Sequence, residues 1–112
     1  MDTNQIEKAK AIIINDIVEY VPNSIVIKTI LNKTTGNVRV VSMDIGKELI
    51  WNIVPFDTLD QIIDGVAEIV IDGKSIFLAT GESIIIPAHC SNSIKANERF
   101  KMISTIIKSG YE

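Results

Sequence analysis

Residues 81–92 read Gly-Glu-Ser-Ile-Ile-Ile-Pro-Ala-His-Cys-Ser-Asn, and residues 46–58 upstream read Gly-Lys-Glu-Leu-Ile-Trp-Asn-Ile-Val-Pro-Phe-Asp-Thr. Each run begins with a glycine and continues through a largely apolar stretch of strand length to a proline. We expect Gly46, Gly65 and Gly81 to lie at turns that need a positive φ or where the backbone approaches a neighbour closely. Pro87 lacks an amide donor and is expected to end its strand. The two runs therefore predict strands bounded by tight turns.

The rest of the chain from residue 24 onward repeats this alternation of apolar segments and turns. Isoleucine dominates the segments, and its β-branched side chain favours strands. Asp72 and Gly73 separate two of the segments, which predicts a two-residue hairpin because both turn positions need a positive φ. No helical pattern lies between the segments, so an antiparallel sandwich or closed barrel is expected rather than parallel βαβ units. The predicted strands cover residues 25–31, 38–45, 48–54, 58–63, 66–71, 74–78, 83–86, 91–95 and 100–107.

The N-terminal residues have a different pattern. Asn4 can cap a helix, with Glu7 three residues later to reach back to the free amides. Apolar residues such as Ile6 and Ile13 then recur near helical spacing. The pattern predicts one short helix over residues 4–15. The expected organisation is an N-terminal helical segment over residues 1–24 that packs on a β-barrel domain over residues 25–112.

Composition and charge limit the expected partners and location. The chain has 112 residues, which is the length of one domain. Its formal net charge is −3 and no cluster of Lys and Arg occurs, so no nucleic-acid partner is expected. No run approaches the ~20 apolar residues of a membrane span, and the charged N-terminus does not resemble a signal peptide. A single cysteine, Cys90, excludes an intrachain disulfide and fits a cytoplasmic location.

The two glycine–proline runs have the spacing of a known fold. Over residues 25–107 the chain resembles the small single-domain cupins, whose two motifs match this sequence without insertion. The hairpin of residues 64–73 is also similar to the central hairpin of that family. The resemblance implies an all-β, antiparallel jelly-roll barrel (a double-stranded β-helix), here with one short N-terminal helix. The positions that match the two motifs are Gly46, Asn52, Val54, Thr58 and Gly65, then Gly81, Pro87, His89 and Asn92.

Many cupins hold a metal at the mouth of the barrel, but the matching positions here have lost their metal ligands. The paired histidine positions hold Asn52 and Val54, the carboxylate position holds Thr58, and the last histidine position holds Asn92. Transition metals need imidazole, thiolate or carboxylate donors. We therefore expect no metal and no other cofactor in this barrel.

Polar side chains at those positions suggest a binding site instead. If Thr58 points into the barrel, strand alternation sends Asp60 the same way; the alternative is a register in which Asp60 points outward or lies at an interface. His89 stands where the cupin motif has glycine, and Cys90 beside it points to the opposite face, so the two are not expected to form a catalytic pair. The candidate ligand-binding residues are Asn52, Thr58, Asp60, His89 and Asn92.

Three functions fit these residues. The first is a metal-free barrel that binds a small polar metabolite. The second is a metal-independent enzyme with isomerase-like or epimerase-like acid–base chemistry, for which Asp60 and His89 are the candidate bases. The third is a structural or interaction protein, formed by a dimeric barrel filled with side chains. We favour the first, because amide and hydroxyl side chains suit hydrogen bonds to a ligand.

A homodimer is expected in each case. Trp51 lies next to Asn52 and is predicted to face outward, where a tryptophan favours a packing surface or a subunit interface; the alternative is that the predicted N-terminal helix covers it. A two-fold pair of barrels would also cover the edge strand predicted over residues 25–31.

Overall fold

The protein is built almost entirely from antiparallel β-strands. The structure is a computed structural model that describes residues 6–51 and 53–109, with only the backbone of Trp51. The strands are β1 (Ile25–Lys33), β2 (Gly36–Met43), β3 (Glu48–Trp51), β4 (Thr58–Ile71), β5 (Lys74–Ala79), β6 (Ser83–Ile86), β7 (Asn92–Lys95) and β8 (Phe100–Ile107). They pair in the order β1-β2-β8-β4-β7-β3, and β5 and β6 both pair with β4. This curled antiparallel sheet confirms the jelly-roll barrel predicted from the sequence.

Strand β4 joins the two faces of the barrel. Its first half, from Thr58 to Gly65, pairs with β6 and β8. Its second half, from Val66 to Ile71, pairs with β5 and β7. The sequence suggested two strands separated by a turn at Gly65, but the structure has one 14-residue strand that is irregular between Ile62 and Asp64.

Gly65 makes the change of direction in β4 possible. Its φ is +84°, a conformation that residues with side chains rarely adopt. A Cβ at this position would collide with the backbone carbonyl oxygen of Arg99 and crowd Phe100. The glycine is therefore needed both for its backbone conformation and for the close approach of β8.

The hairpin predicted at Asp72 and Gly73 is confirmed. Both residues have positive φ angles, 48° and 81°, and the flanking Ile71 and Lys74 are paired across the turn. Such a turn matches the right-handed twist of the two strands it connects.

The core fills one part of the barrel. Inward residues of β2, β4 and β8 alternate with outward ones, so that Val41, Ile62 and Met102 are fully buried side by side. Their burial excludes water from the space between the two faces. The buried cluster consists of Val41, Met43, Ile62, Ala67, Ile69, Leu78, Ile86, Ile94, Ala96, Phe100 and Met102.

The predicted N-terminal helix is wrong over residues 6–15. Residues 4 and 5 lie outside the described part of the chain, and within that part the only helix is a three-residue 3-10 turn, Ile14–Asp16. Ala9 has a φ of +63°, which a right-handed helix cannot contain, and Ile13 is 67% exposed. A helix this short needs a docked apolar face to be stable in water, and Ile13 does not supply one. No helix within the described residues is long and apolar enough to cross a membrane.

The N-terminal segment is held to the barrel by polar contacts instead. The Ser42 hydroxyl donates to the carbonyl oxygen of Glu19 at 2.8 Å, and Lys101 Nζ donates to that of Asn15 at 2.7 Å. The Tyr20 hydroxyl donates to the carboxylate of Asp64. These contacts cover the outer surface of β2, β4 and β8 in place of a helix.

Replacement of Gly65 by alanine should destabilise the protein strongly, because strain at positive φ and the collision with Arg99 add together. We expect a loss of roughly 3 kcal/mol or more in the free energy of unfolding. The matched control is Gly73→Ala, which has the same backbone strain (φ +81°) but open space around the new Cβ. This control should lose only about 1 kcal/mol. Urea denaturation followed by circular dichroism measures both; equal losses would show that the close approach at Gly65 is unimportant.

Candidate functional site

A cavity of about 90 Å³ lies next to the core inside the barrel. Apolar side chains from three parts of the chain line it together with hydroxyl, amide and charged groups. The lining residues are Arg39, Val54, Thr58, Asp60, Ile86, Asn92, Ser104 and Ile106. The cavity therefore combines a partly apolar wall with several hydrogen-bonding groups, as small-molecule sites do.

Three neighbouring strands place the charged groups of the cavity in one row. Ser104 on β8 is paired with Arg39 on β2 and with Asp60 on β4. Residues paired in this way point to the same face of a sheet. Each lies two residues from a core residue on its own strand, so the row faces inward beside the core. Asp60 and Ser104 are each 2% exposed.

The charges of Arg39 and Asp60 in this row affect each other's pKa. Burial raises the pKa of Asp60, and this effect is opposed by the hydrogen bond from Ser104 and by the positive charge of Arg39. Burial lowers the pKa of Arg39, and the negative charge of Asp60 opposes that change. Each charged group thus compensates part of the desolvation of the other.

Two buried oxygens in the cavity lack a hydrogen-bond partner within the described part of the chain. They are Oδ1 of Asp60 and Oδ1 of Asn92. A buried acceptor without a donor costs about 1–3 kcal/mol relative to one that is satisfied. Such atoms require a water molecule or a ligand that donates hydrogen bonds.

The structure brings together three of the five predicted ligand-binding residues. Thr58, Asp60 and Asn92 all line the cavity, with Asp60 in the inward register. His89 is exposed and is not a lining residue; its backbone N–H donates to Val54 at 2.8 Å. Asn52 lies outside the described residues, as does the side chain of Trp51.

The exposed turn at His89 and Cys90 provides no reactive thiolate. His89 has a φ of +66°, which accounts for the glycine at the matching position of the cupin motif. Burial, a hydrogen bond with Asp72 and the charge of Asp72 all raise the pKa of the Cys90 thiol. A raised pKa keeps the thiol protonated and weakens it as a nucleophile.

Sequence reasoning missed Arg39 and Ser104. Arg39 lies between Val38 and Val40 on β2, and Ser104 lies two residues beyond the core residue Met102 on β8. A polar residue two positions from an apolar core residue on the same strand was the available signal. This signal identifies the two residues as part of the site only when the strand pairing is known, because Ser104 pairs with both Arg39 and Asp60.

The cavity does not suit a transition metal. Asp60 is its single carboxylate among the described residues, and no imidazole or thiol lines it. The described residues contain no group of three or more His, Cys, Asp or Glu side chains that could hold a metal ion. Amide and hydroxyl oxygens without further negative charge bind such metals weakly.

The sequence profile of the family described as ethanolamine utilisation protein EutQ matches residues 22–108. The chain belongs to this family. No curated protein matches the chain. The resemblance to the cupins is likewise confirmed, because several similar solved structures are cupin-fold proteins.

Three solved structures illustrate the likeness. A conserved protein of unknown function from Streptococcus pyogenes is 28% identical, with a TM-score of 0.88 over 94% of this chain and 92% of its own. A cupin 2 conserved barrel domain protein from Leptotrichia buccalis is 30% identical with a TM-score of 0.81; 84% of this chain is covered, but only 46% of that protein. The EutQ protein of Clostridium difficile is 20% identical with a TM-score of 0.67, covering 76% of this chain and 68% of its own. This last likeness concerns the fold alone.

The charge of Asp60 should make stability depend on pH in a defined direction. The folded state raises the pKa of Asp60, so folded protein binds this proton more tightly than unfolded protein does. Ionisation of Asp60 above about pH 4 therefore destabilises the folded state. The free energy of unfolding of Asp60→Asn minus that of the wild type should therefore increase as pH rises from 4. The slope is at most about 1.4 kcal/mol per pH unit.

The control for this experiment is Glu68→Gln. Hydrogen bonds from Ser75 and Asn97 lower the pKa of Glu68, so its charge stabilises the folded state at higher pH. The free energy of unfolding of Glu68→Gln minus that of the wild type should therefore fall as pH rises toward about 4.5, and it should be flat above that pH, where the Asp60→Asn difference still rises. Urea denaturation at several pH values measures both, and a flat difference for Asp60→Asn would contradict the direction of its pKa change.

Proposed function

We propose that the protein is a metal-free cupin-fold barrel that binds a small polar metabolite in the cavity of Asp60 and Asn92. The observation that carries the proposal is the pair of buried Oδ1 atoms without a partner in the described residues. Both residues line one cavity, so a single molecule that donates hydrogen bonds would have both side chains beside it. Binding would thus relieve an unfavourable feature of the free protein.

A purely structural role fits this cavity less well. A buried ion pair is often no more stabilising than apolar residues of the same volume. Arg39, Ser104 and Asp60 interrupt the inward apolar pattern of three strands where further apolar residues would extend the core. The description of the family concerns the utilisation of ethanolamine, a small metabolite, which also favours a role in metabolism.

Binding is favoured over catalysis because the cavity contains one candidate acid–base group in the described residues. Asp60 is buried there, whereas His89 is exposed and outside the lining. Acid–base chemistry on a substrate needs a group positioned within hydrogen-bond reach of the transferred proton, and often a second group as its partner. We place the protein in the cytoplasm, where its free thiol at Cys90 would stay reduced.

We also propose that two copies pair through β1. Within the described residues this strand pairs with β2 alone. Ile27 and Leu31 on the strand are 43% and 51% exposed. An edge with exposed apolar side chains promotes association, and a two-fold antiparallel pair would cover both edges together.

The binding proposal predicts that Asn92→Leu weakens a ligand without unfolding the barrel. Loss of one buried hydrogen-bond partner costs about 1–3 kcal/mol, which corresponds to roughly a tenfold or greater rise in Kd. A thermal-shift screen of small polar metabolites would identify ligands, and titration calorimetry would compare the variants. Asn97→Leu, at an exposed position, serves as the control and should bind normally. If no metabolite raises the melting temperature of the wild type, the binding proposal fails.

The dimer proposal predicts that Ile27→Lys separates the two copies, because charged side chains on an edge strand oppose pairing. Sedimentation equilibrium at micromolar concentration should give a dimeric mass for the wild type and a monomeric mass for the variant. Ile45→Lys is the control, since Ile45 is similarly apolar and exposed but follows the end of β2. A monomeric wild type would overturn the proposal.

A further inference from the structure

We infer that the cavity takes a neutral molecule of on the order of four non-hydrogen atoms with at least two hydroxyl donors, a small 1,2-diol in chemical class. The inference rests on the proposed binding function and specifies its ligand. Three independent features of the cavity lead to it: its volume, the hydrogen-bonding character of its atoms and its balance of charge.

The volume limits the size of the ligand. A cavity of about 90 Å³ has the space of roughly three water molecules. Covalently linked atoms pack more closely than separate waters, so a molecule with about four non-hydrogen atoms fits. Sugars and nucleotides are too large. The side chains of Val54, Ile86 and Ile106 provide apolar contacts for the carbons of such a molecule.

The two unsatisfied oxygens decide which hydrogen-bond donors the ligand carries. Oδ1 of Asp60 and Oδ1 of Asn92 are both acceptors, so the ligand must donate to each. The hydroxyl of Ser104 already forms a hydrogen bond with Asp60, and it retains lone pairs that can accept another. The hydroxyl of Thr58 can donate or accept. A ligand hydroxyl can meet all these demands, because it donates one hydrogen bond and accepts others.

The charges of the lining select against ions. Among the described residues Arg39 and Asp60 are the ionisable residues of the lining, and each partly compensates the other. An ammonium group would add a second positive charge beside Arg39. A carboxylate would face the negative charge of Asp60 and the acceptor oxygen of Asn92. Either ion would leave one of three charges without compensation beside buried groups, which is strongly unfavourable. A neutral donor avoids this.

The test compares three molecules of nearly equal size: 1,2-ethanediol, ethanolamine and acetate, which are neutral, cationic and anionic near neutral pH. Each is titrated into the ¹⁵N-labelled protein, and the amide signals of Thr58, Asp60, Asn92 and Ser104 are followed by NMR. We expect saturable shifts with 1,2-ethanediol, with a Kd on the order of millimolar because so small a ligand makes few contacts. Ethanolamine and acetate should bind at least about tenfold more weakly.

Variants of Arg39 test the role of charge. Arg39→Gln leaves the carboxylate of Asp60 without its positive neighbour, so the preference should change from 1,2-ethanediol to ethanolamine. Arg39→Lys keeps the balance of charge and should keep the preference for the diol. Circular dichroism checks the fold of both, and Asn97→Leu serves as a control with unchanged binding. An unchanged preference in a folded Arg39→Gln protein would contradict the inference.

The outcomes separate this inference from the function on which it rests. If ethanolamine or acetate binds the wild type more tightly than 1,2-ethanediol, the inference is wrong and the binding function stands. The same conclusion applies if the metabolite screen yields only charged or larger ligands that depend on Asn92. If neither the three probes nor the screen gives saturable binding, both are wrong.

Discussion

The architecture depends on the close contact between the backbones of β4 and β8 at Gly65. One strand serves both faces of the barrel only because it can change direction there without a side chain between it and Arg99. The halves of β4 on either side of this point contribute to the same interior, so Ile62 and Ile69 belong to one buried cluster. Both the core and the cavity follow from this contact, since a straight strand would leave the two faces apart.

The cavity occupies the place where the cupin motifs put a metal, but its chemistry is different. Thr58 and Asn92 line it at two of the positions that match metal ligands in the cupin motifs, and Arg39 with Asp60 adds a pair of opposite charges. A metal site concentrates negative or basic donors around a cation, whereas the charges of the described lining residues are balanced. The lining thus combines the position of a cupin metal site with hydrogen-bonding groups.

The sequence predicted the strands and the cavity better than the N-terminal segment, for physical reasons. Turn residues such as Gly73 act locally, and the inward direction of Asp60 follows from its spacing to Thr58 along one strand. The N-terminal pattern had helical spacing, but spacing alone does not stabilise a helix when residues such as Ile13 remain exposed. Arg39 and Ser104 belong to the cavity through pairing between distant strands, which no local pattern encodes. The contribution of Asn52 stays a prediction.

The hydrogen bond from Lys101 to Asn15 also bears on how the chain folds. The two residues are 86 positions apart, so the N-terminal segment can reach its final place only when β8 has formed its part of the sheet. Contacts of such long range slow folding, because the loop must close before any interaction compensates the lost chain entropy. The hydrogen bond from Ser42 to Glu19 spans only 23 positions and needs β2 alone, so the two ends of the segment differ in how much of the sheet their contacts require.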